Sequence, residues 1–178
     1  STVAGTVCRD VHTRRFRHGR KDVIARAGFG RRGDNLRNNM AKKNILIIDG
    51  QGGGIGRQLV SEIKEKLPDC TVTAVGTNSA ATSAMLKAGA DNAATGENAV
   101  KVGCRHADVI SGPVGIVIAD SLFGEITPAM AVAVGQSNAK RVLIPVNHCD
   151  NIVVGVNDLT VGRLVDAAVA EIGRICGE

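Results

Sequence analysis

A chain of 178 residues, 44% apolar and 2% aromatic, is long enough to bury one core but carries few flat rings for stacking on bases. No apolar run approaches the roughly 18 residues a membrane span needs, and the first 30 residues hold no continuous apolar stretch of secretory type. The net charge of +5 divides unevenly: residues 1–39 carry ten Lys/Arg against three Asp/Glu, a net of +7, and residues 40–178 carry −2. Nucleic-acid binding by residues 40–178 is therefore not expected. The five cysteines, Cys8, Cys70, Cys104, Cys149 and Cys176, are odd in number and lie at no metal-ligand spacing. They predict no metal site and no disulfide framework, as suits a reducing cytoplasm.

Residues 1–39 show neither helical nor strand period and hold too little apolar surface to offset the entropy of ordering, so a flexible tail is expected. Three readings of it stand side by side: a basic arm for nucleic acid, an Arg-rich targeting segment, or sequence upstream of a true start at Met40. Met40-Ala-Lys-Lys runs directly into the first apolar segment, which favours the last.

From there the pattern alternates. Asn44–Ile48 is a short apolar run, the mark of a strand buried on both faces. Residues 55–67 place Ile55, Leu59, Val60, Ile63 and Leu67 on one helical face, and Pro68-Asp69 ends that helix. Thr71–Val75 reads as a second strand, and a helix over 79–88 closes at Gly89. A weak third strand at 91–95 leads to a helix from Gly96-Glu97, and Asp108–Ile110 is a fourth strand. Val114 to about Gly124 is expected to be a buried helix. Thr127-Pro128 is a helix start, with Thr at the cap and Pro in the first turn. Arg141–Pro145 is a fifth strand, Ile152–Val156 a short edge strand or extended loop, and a final helix runs from about 158 to 175. Strands and helices alternating in units of about 25–30 residues predict an α/β, Rossmann-like, doubly wound and mainly parallel sheet of five to six strands.

The chemistry concentrates between the first strand and first helix. Five of the seven residues from Gly50 to Gly56 (Gly50, Gly52, Gly53, Gly54 and Gly56) are glycine, with Gln51 and Ile55 between them. Such a turn lets backbone approach a diphosphate and aims N–H groups and the helix dipole at it. The alternative is a turn whose glycines only permit tight strand–helix packing. Gly50, Gly54 and Gly56 fit the spacing G-x-x-x-G-x-G, which resembles short-chain dehydrogenases/reductases. Those enzymes rely on a Tyr-x-x-x-Lys pair, and this chain has no Tyr, so only the geometry of the turn is implied.

A closer resemblance rests on four segments: I-D-G-Q-G-G-G-I-G-R-Q-L, A-V-G-T-N-S-A-A-T-S-A-M-L-K-A-G-A-D, A-T-G-E-N-A-V and G-E-I-T-P-A-M-A. In this order they resemble a family of small bacterial proteins catalogued as a domain of unknown function, of the DUF3842 type. The resemblance covers nearly everything from Met40. It implies a Rossmann-like fold and no particular activity.

At the end of the second strand an acidic residue would take the ribose hydroxyls of NAD. Gly76-Thr77-Asn78-Ser79 is neutral there. Its hydroxyls and helix N–H groups suit an additional phosphate, which favours NADP over NAD; Asn78 or Ser79 equally suits ordinary helix capping. Turns at Thr95-Gly96-Glu97-Asn98 and Ser111-Gly112-Pro113-Val114-Gly115 should open on the same sheet edge. Glu125 is a candidate for acid–base chemistry or a solvated carboxylate. His148-Cys149 is a candidate nucleophile pair, or a buried Cys beside an exposed His. The binding residues expected are thus Gly50 to Gly56, Thr77, Asn78, Ser79, Gly96, Asn98 and Gly112, holding a small phosphate-bearing ligand, NADP or NAD. Two functions follow, an NAD(P)-linked enzyme with an unusual catalytic set or a non-catalytic nucleotide sensor. The Ala/Val-rich stretch 129–135 is either core or the face of a homo-oligomer.

Overall fold

The computed structural model describes residues 42–146, 152–154, 156 and 159–177. The expectations for the tail and for His148-Cys149 lie outside the described residues. The elements in chain order are β1 (Asn44–Asp49), α1 (Gly54–Lys66), β2 (Thr71–Gly76), α2 (Ser79–Lys87), β3 (Asn92–Thr95), α3 (Glu97–His106), β4 (Val109–Pro113), α4 (Pro128–Gln136), β5 (Lys140–Ile144) and α5 (Val161–Gly177). A single 3-10 turn at Val114–Val117 follows β4. The five strands pair in parallel in the order β3-β2-β1-β4-β5.

β1 is central, and its alternating side chains serve two cores. Ile45 and Ile47 join Val72, Ala74 and Val109 under α1, α2 and α5, where Leu59, Val60, Ile63, Met85, Val169 and Ile172 are buried. Leu46 and Ile48 point to the other face, with Val75, Ile110, Val100 of α3 and Met130 and Val134 of α4. Ile45, Leu46, Ile47 and Ile48 are all essentially inaccessible. At about 1.5–3 kcal/mol per buried side chain, this one strand anchors both layers. The expected α/β, Rossmann-like fold with helices on both faces is therefore the observed one. In this order the chain crosses from β3 to β4 on the far side of β1, so the topological switch lies between β1 and β4, at whose carboxyl ends such sheets open a crevice.

Two local expectations change, and one left open is decided. The segment from Val114 to Gly124 is not a helix: after the 3-10 turn, Asp120 (φ 61), Leu122 (φ 53), Phe123 (φ 56) and Gly124 (φ 82) take left-handed backbone. Its apolar residues fit a buried helix, but the chain buries Leu122 and Ile126 while leaving Phe123 exposed, which a loop permits. Crossed bonds fasten that loop: Asp120 N–H donates to Ile126 O (2.8 Å), Ile126 N–H to Ser121 O (3.2 Å), and Ser121 Oγ to Gly115 O (2.5 Å). The fourth strand extends through Ser111-Gly112 to Pro113, because Gly112 pairs with Leu143 and Pro113 with Ile144. Of the two readings of residues 152–156, an edge strand or a loop, the described residues there take the loop.

Thr127 caps α4 as expected, accepting from Met130 N–H (3.2 Å), with Pro128 following. α4 turns Met130, Ala131 and Val134 inward and leaves Val132 exposed, so the inner side of the 129–135 stretch is core. No helix among the described residues is long and apolar enough to cross a membrane.

Gly112 is required by strand spacing. A Cβ there would collide with the carbonyl oxygen of Ile48 on β1. Gly112→Ala should force β1 and β4 apart and cost about 3 kcal/mol or more in urea denaturation, since overpacking against backbone has little room to relax. Gly135→Ala in α4 meets open space and should cost nothing or add up to about 1 kcal/mol.

Candidate functional site

β1 ends on Asp49, a carboxylate only 5% exposed. It braces the turn that follows: Oδ1 accepts from Gly50 N–H (2.8 Å) and Oδ2 from Gly56 N–H (2.7 Å). Burial is the largest influence on Asp49 and outweighs these bonds, so its pKa is raised. Within the turn Gln51 (φ 50) and Gly53 (φ 66) adopt left-handed backbone, and Gly53 N–H closes the turn on Gly50 O (2.9 Å). α1 then starts at Gly54, and Ile55 packs against the core.

The glycines of the turn divide into two sets. A Cβ on Gly50 would lie 2.8 Å from both Glu125 Oε2 and Thr77 Oγ1, one on Gly53 2.7 Å from Ala81 Cα, and one on Gly56 2.5 Å from the Met85 sulfur. These three are packing glycines, as the alternative reading of the motif holds. Gly52 and Gly54 are different. Each is exposed, a Cβ on either would meet nothing within 4 Å, and neither has positive φ. Open space alone does not distinguish them, because Gly135 and Gly162 share it. What sets them apart is that their N–H groups have no acceptor among the described residues and stand at the N-terminus of α1.

The tip of β2 faces the turn from the other side. Thr77 N–H continues the ladder to Asp49 O (3.0 Å). Asn78 does two jobs: its Oδ1 caps α2 by accepting from Ala81 N–H (2.9 Å), and its Nδ2 donates to Gln51 O (2.9 Å). Ser79 is the first residue of α2 and its side chain makes no hydrogen bond among the described residues. The capping expectation thus holds for Asn78 and not for Ser79.

Between turn and tip stands Glu125, delivered by the left-handed loop after β4. Its Oε2 accepts from Gln51 N–H (2.9 Å), from Asn78 Nδ2 (3.0 Å) and from Thr77 Oγ1. Partial burial opposes its ionisation more than any one contact favours it, but the bonds from Thr77, Gln51 and Asn78 together prevail and hold its pKa below the usual carboxylate range. The end of β2, neutral in sequence, is therefore anionic in the folded protein.

The remaining expected residues lie farther along the same edge. Gly96 (φ 93) caps α3 and donates its N–H to Gly76 O (2.9 Å), while Asn98 is exposed on the first turn of α3 without a side-chain bond among the described residues. Neither bonds to the glycine turn. Gly112 lies within β4, not in a turn, and is buried against β1. Residue patterns alone pass over Asp49 as a brace and Glu125 as a partner of the turn. An Asp closing a buried strand just before the glycines is a signal that was available. Glu125, 74 residues from Gln51, carries no local signal.

Two cavities lie away from this edge. One of about 540 Å³ between α3 and α4 is lined by Lys101, Arg105, Val132 and Gln136. Another of about 330 Å³ beneath α3 is lined by Thr73, Val75, Ala94 and His106. Neither includes a residue of the turn, where Gln51, Gly52 and Gly54 are exposed. No group of three or more metal-ligating side chains occurs among the described residues.

Residues 44–177 match the family described as a domain of unknown function (DUF3842), and the chain belongs to that family. No curated protein matches the sequence. Among solved structures the chain is similar to a dodecameric FMN-dependent UbiX-like decarboxylase from Escherichia coli O157:H7, at 20% identity and a TM-score of 0.39, over 74% of this chain and 76% of that one. A likeness at that level carries nothing about ligand or assembly.

The clamp on Glu125 has a pH signature. A carboxyl whose folded pKa is depressed stabilises the fold fully above its unfolded value, about 4.3, and loses that contribution as pH falls through the folded value. Asp49, with a raised pKa, acts with opposite sign: its contribution is lost as pH rises from its unfolded toward its folded value. Replacing Glu125 by Ala should cost about 0.5–1.5 kcal/mol at pH 7, by removing the charged acceptor of Gln51 N–H and Thr77 Oγ1 while Asn78 Nδ2 keeps Gln51 O. It should also flatten the fall in stability below pH 4.5, where Glu125 contributes; urea midpoints measured from pH 3 to 7 check both.

Proposed function

We propose that the ledge formed by Gly50–Gly56 and the tip of β2 binds a nucleotide or other phosphate-bearing small molecule, of the NAD(P) type. The observation that carries this reading is the pair Gly52 and Gly54: exposed, unconstrained by packing or backbone conformation, with N–H groups at a helix N-terminus that have no acceptor among the described residues. Donors placed there suit phosphate oxygens, and the helix dipole adds to the attraction. Their position at the carboxyl end of β1, beside the topological switch, is where parallel α/β sheets take ligands. Thr77 and Asn78 bound the opposite wall, Gln51 the floor between. Gly96, Asn98 and Ser79 stand along the rim, where a longer ligand would extend.

Gly54→Val tests the reading cleanly. The residue has ordinary φ and open space, and at the first position of α1 Val is no worse a helix former than Gly, so folding should be unchanged to within about 0.5 kcal/mol. Its isopropyl group would stand where a diphosphate approaches and screen the N–H donors. Native mass spectrometry of the purified full chain identifies a co-purified nucleotide, and calorimetry with NAD and NADP measures affinity. The variant is expected to lose at least about tenfold in affinity, as about 1.4 kcal/mol of lost donor contacts implies. Wild-type affinity in a well-folded Gly54→Val protein would make the turn a packing device.

A further inference from the structure

The carboxylate of Glu125 is held by one oxygen and leaves the other free. All three protein donors, Gln51 N–H, Thr77 Oγ1 and Asn78 Nδ2, converge on Oε2. Oε1 has no partner among the described residues, and it is not a buried unsatisfied atom, so solvent reaches it. A carboxylate fixed this way cannot swing aside without taking the protein acceptor from Gln51 N–H and the Thr77 hydroxyl. It presents a rigid acceptor with negative charge at the gap between the glycine turn and the tip of β2.

We infer that Glu125 makes this ledge selective for nucleotides whose ribose carries free vicinal hydroxyls, and against those bearing a phosphate on the ribose. The inference rests on the nucleotide reading of the ledge. In nucleotide sites built on a parallel sheet, ribose recognition falls to an acid at the end of the second strand. Here that strand ends in Gly76-Thr77-Asn78, and the acid arrives from another part of the chain, bonded to both Thr77 and Asn78. A ribose hydroxyl donates to Oε1 without disturbing the clamp. A ribose phosphate, carrying about −1.5 to −2 charges at neutral pH, meets a like charge that cannot retreat. Thr77 and Asn78, the neutral donors that would otherwise suit such a phosphate, are already spent on Oε2.

The loop that carries Glu125 supports a positioning role. Asp120, Leu122 and Phe123 take left-handed backbone without being glycine, and the crossed bonds from Asp120, Ser121 and Ile126 hold that conformation. Leu122, whose side chain lies beside Gly50, and Ile126 root the loop in the core on either side of Glu125. Strain of this kind persists only where surrounding structure enforces it, and here it sets one carboxylate against one turn.

Calorimetry on the full chain with AMP and adenosine 2′,5′-bisphosphate, and with NAD and NADP, tests the inference without any variant. The wild type should bind the form with free hydroxyls at least about tenfold more tightly in each pair, as like-charge juxtaposition predicts. Glu125→Gln keeps an acceptor for the clamp and turns an amide toward the ligand. It should bring the two affinities of each pair to within about threefold, with folding confirmed by circular dichroism. Equal affinities in the wild type, or undiminished discrimination in a folded Glu125→Gln protein, would overturn the inference and leave the nucleotide reading standing. If the wild type bound none of the four, the nucleotide reading would fail first and the inference with it.

Discussion

A single carboxylate oxygen joins the two halves of the candidate site. The glycine turn follows β1 and the Thr77–Asn78 tip follows β2; parallel pairing brings their ends side by side, with Thr77 N–H on Asp49 O. Pairing alone does not fix the conformation of residues beyond the strands. Glu125 Oε2 does, by accepting from one backbone N–H of the turn and two side chains of the tip. Asn78 completes the bracket by donating to Gln51 O while capping α2. Remove the carboxylate and Gln51, at φ 50, loses the bond that offsets its strained backbone.

The elements that sequence reveals are those whose patterns are local. β1 is legible because four consecutive apolar residues serve two cores, and α1 because its apolar stripe recurs at helical spacing. Thr127-Pro128 and Gly89 mark a helix start and a helix end through chemistry confined to a few residues. The glycine turn is legible as a turn for the same reason. Its division into packing and open glycines is not, since that depends on Ala81, Met85 and Leu122, brought up from elsewhere in the chain.

The segment after β4 shows what local pattern cannot supply. Val114–Gly124 has the apolar content of a buried helix, and nothing in its composition signals left-handed backbone at Leu122 and Phe123. Each non-glycine residue held there costs about 1–2 kcal/mol. The offset comes from burial of Leu122 and Ile126 and from hydrogen bonds that cross the loop, all of them tertiary. An exposed Phe123 is the visible cost of putting Leu122 and Ile126 inside and Glu125 on the turn. The expectation of a neutral tip on β2 fails for the same cause: charge at a site belongs to whichever element reaches it, and here the element is more than 40 residues downstream.

Together the two walls of the ledge make a polarised site. On one side Gly52 and Gly54 offer backbone donors at the positive end of α1; on the other Glu125 offers an acceptor with full negative charge. A free inorganic phosphate satisfies the first wall and is repelled by the second. A neutral sugar satisfies the second and leaves the donors empty. On the proposed reading, the molecule that meets both is one whose phosphate and hydroxyl groups are separated along its own length, as in a nucleotide lying from helix terminus to strand tip. Asp49 enforces that separation. By taking Gly50 N–H and Gly56 N–H it leaves those of Gly52 and Gly54 between them as the open donors, which on the proposed reading confines the attraction for phosphate to one end of the ledge.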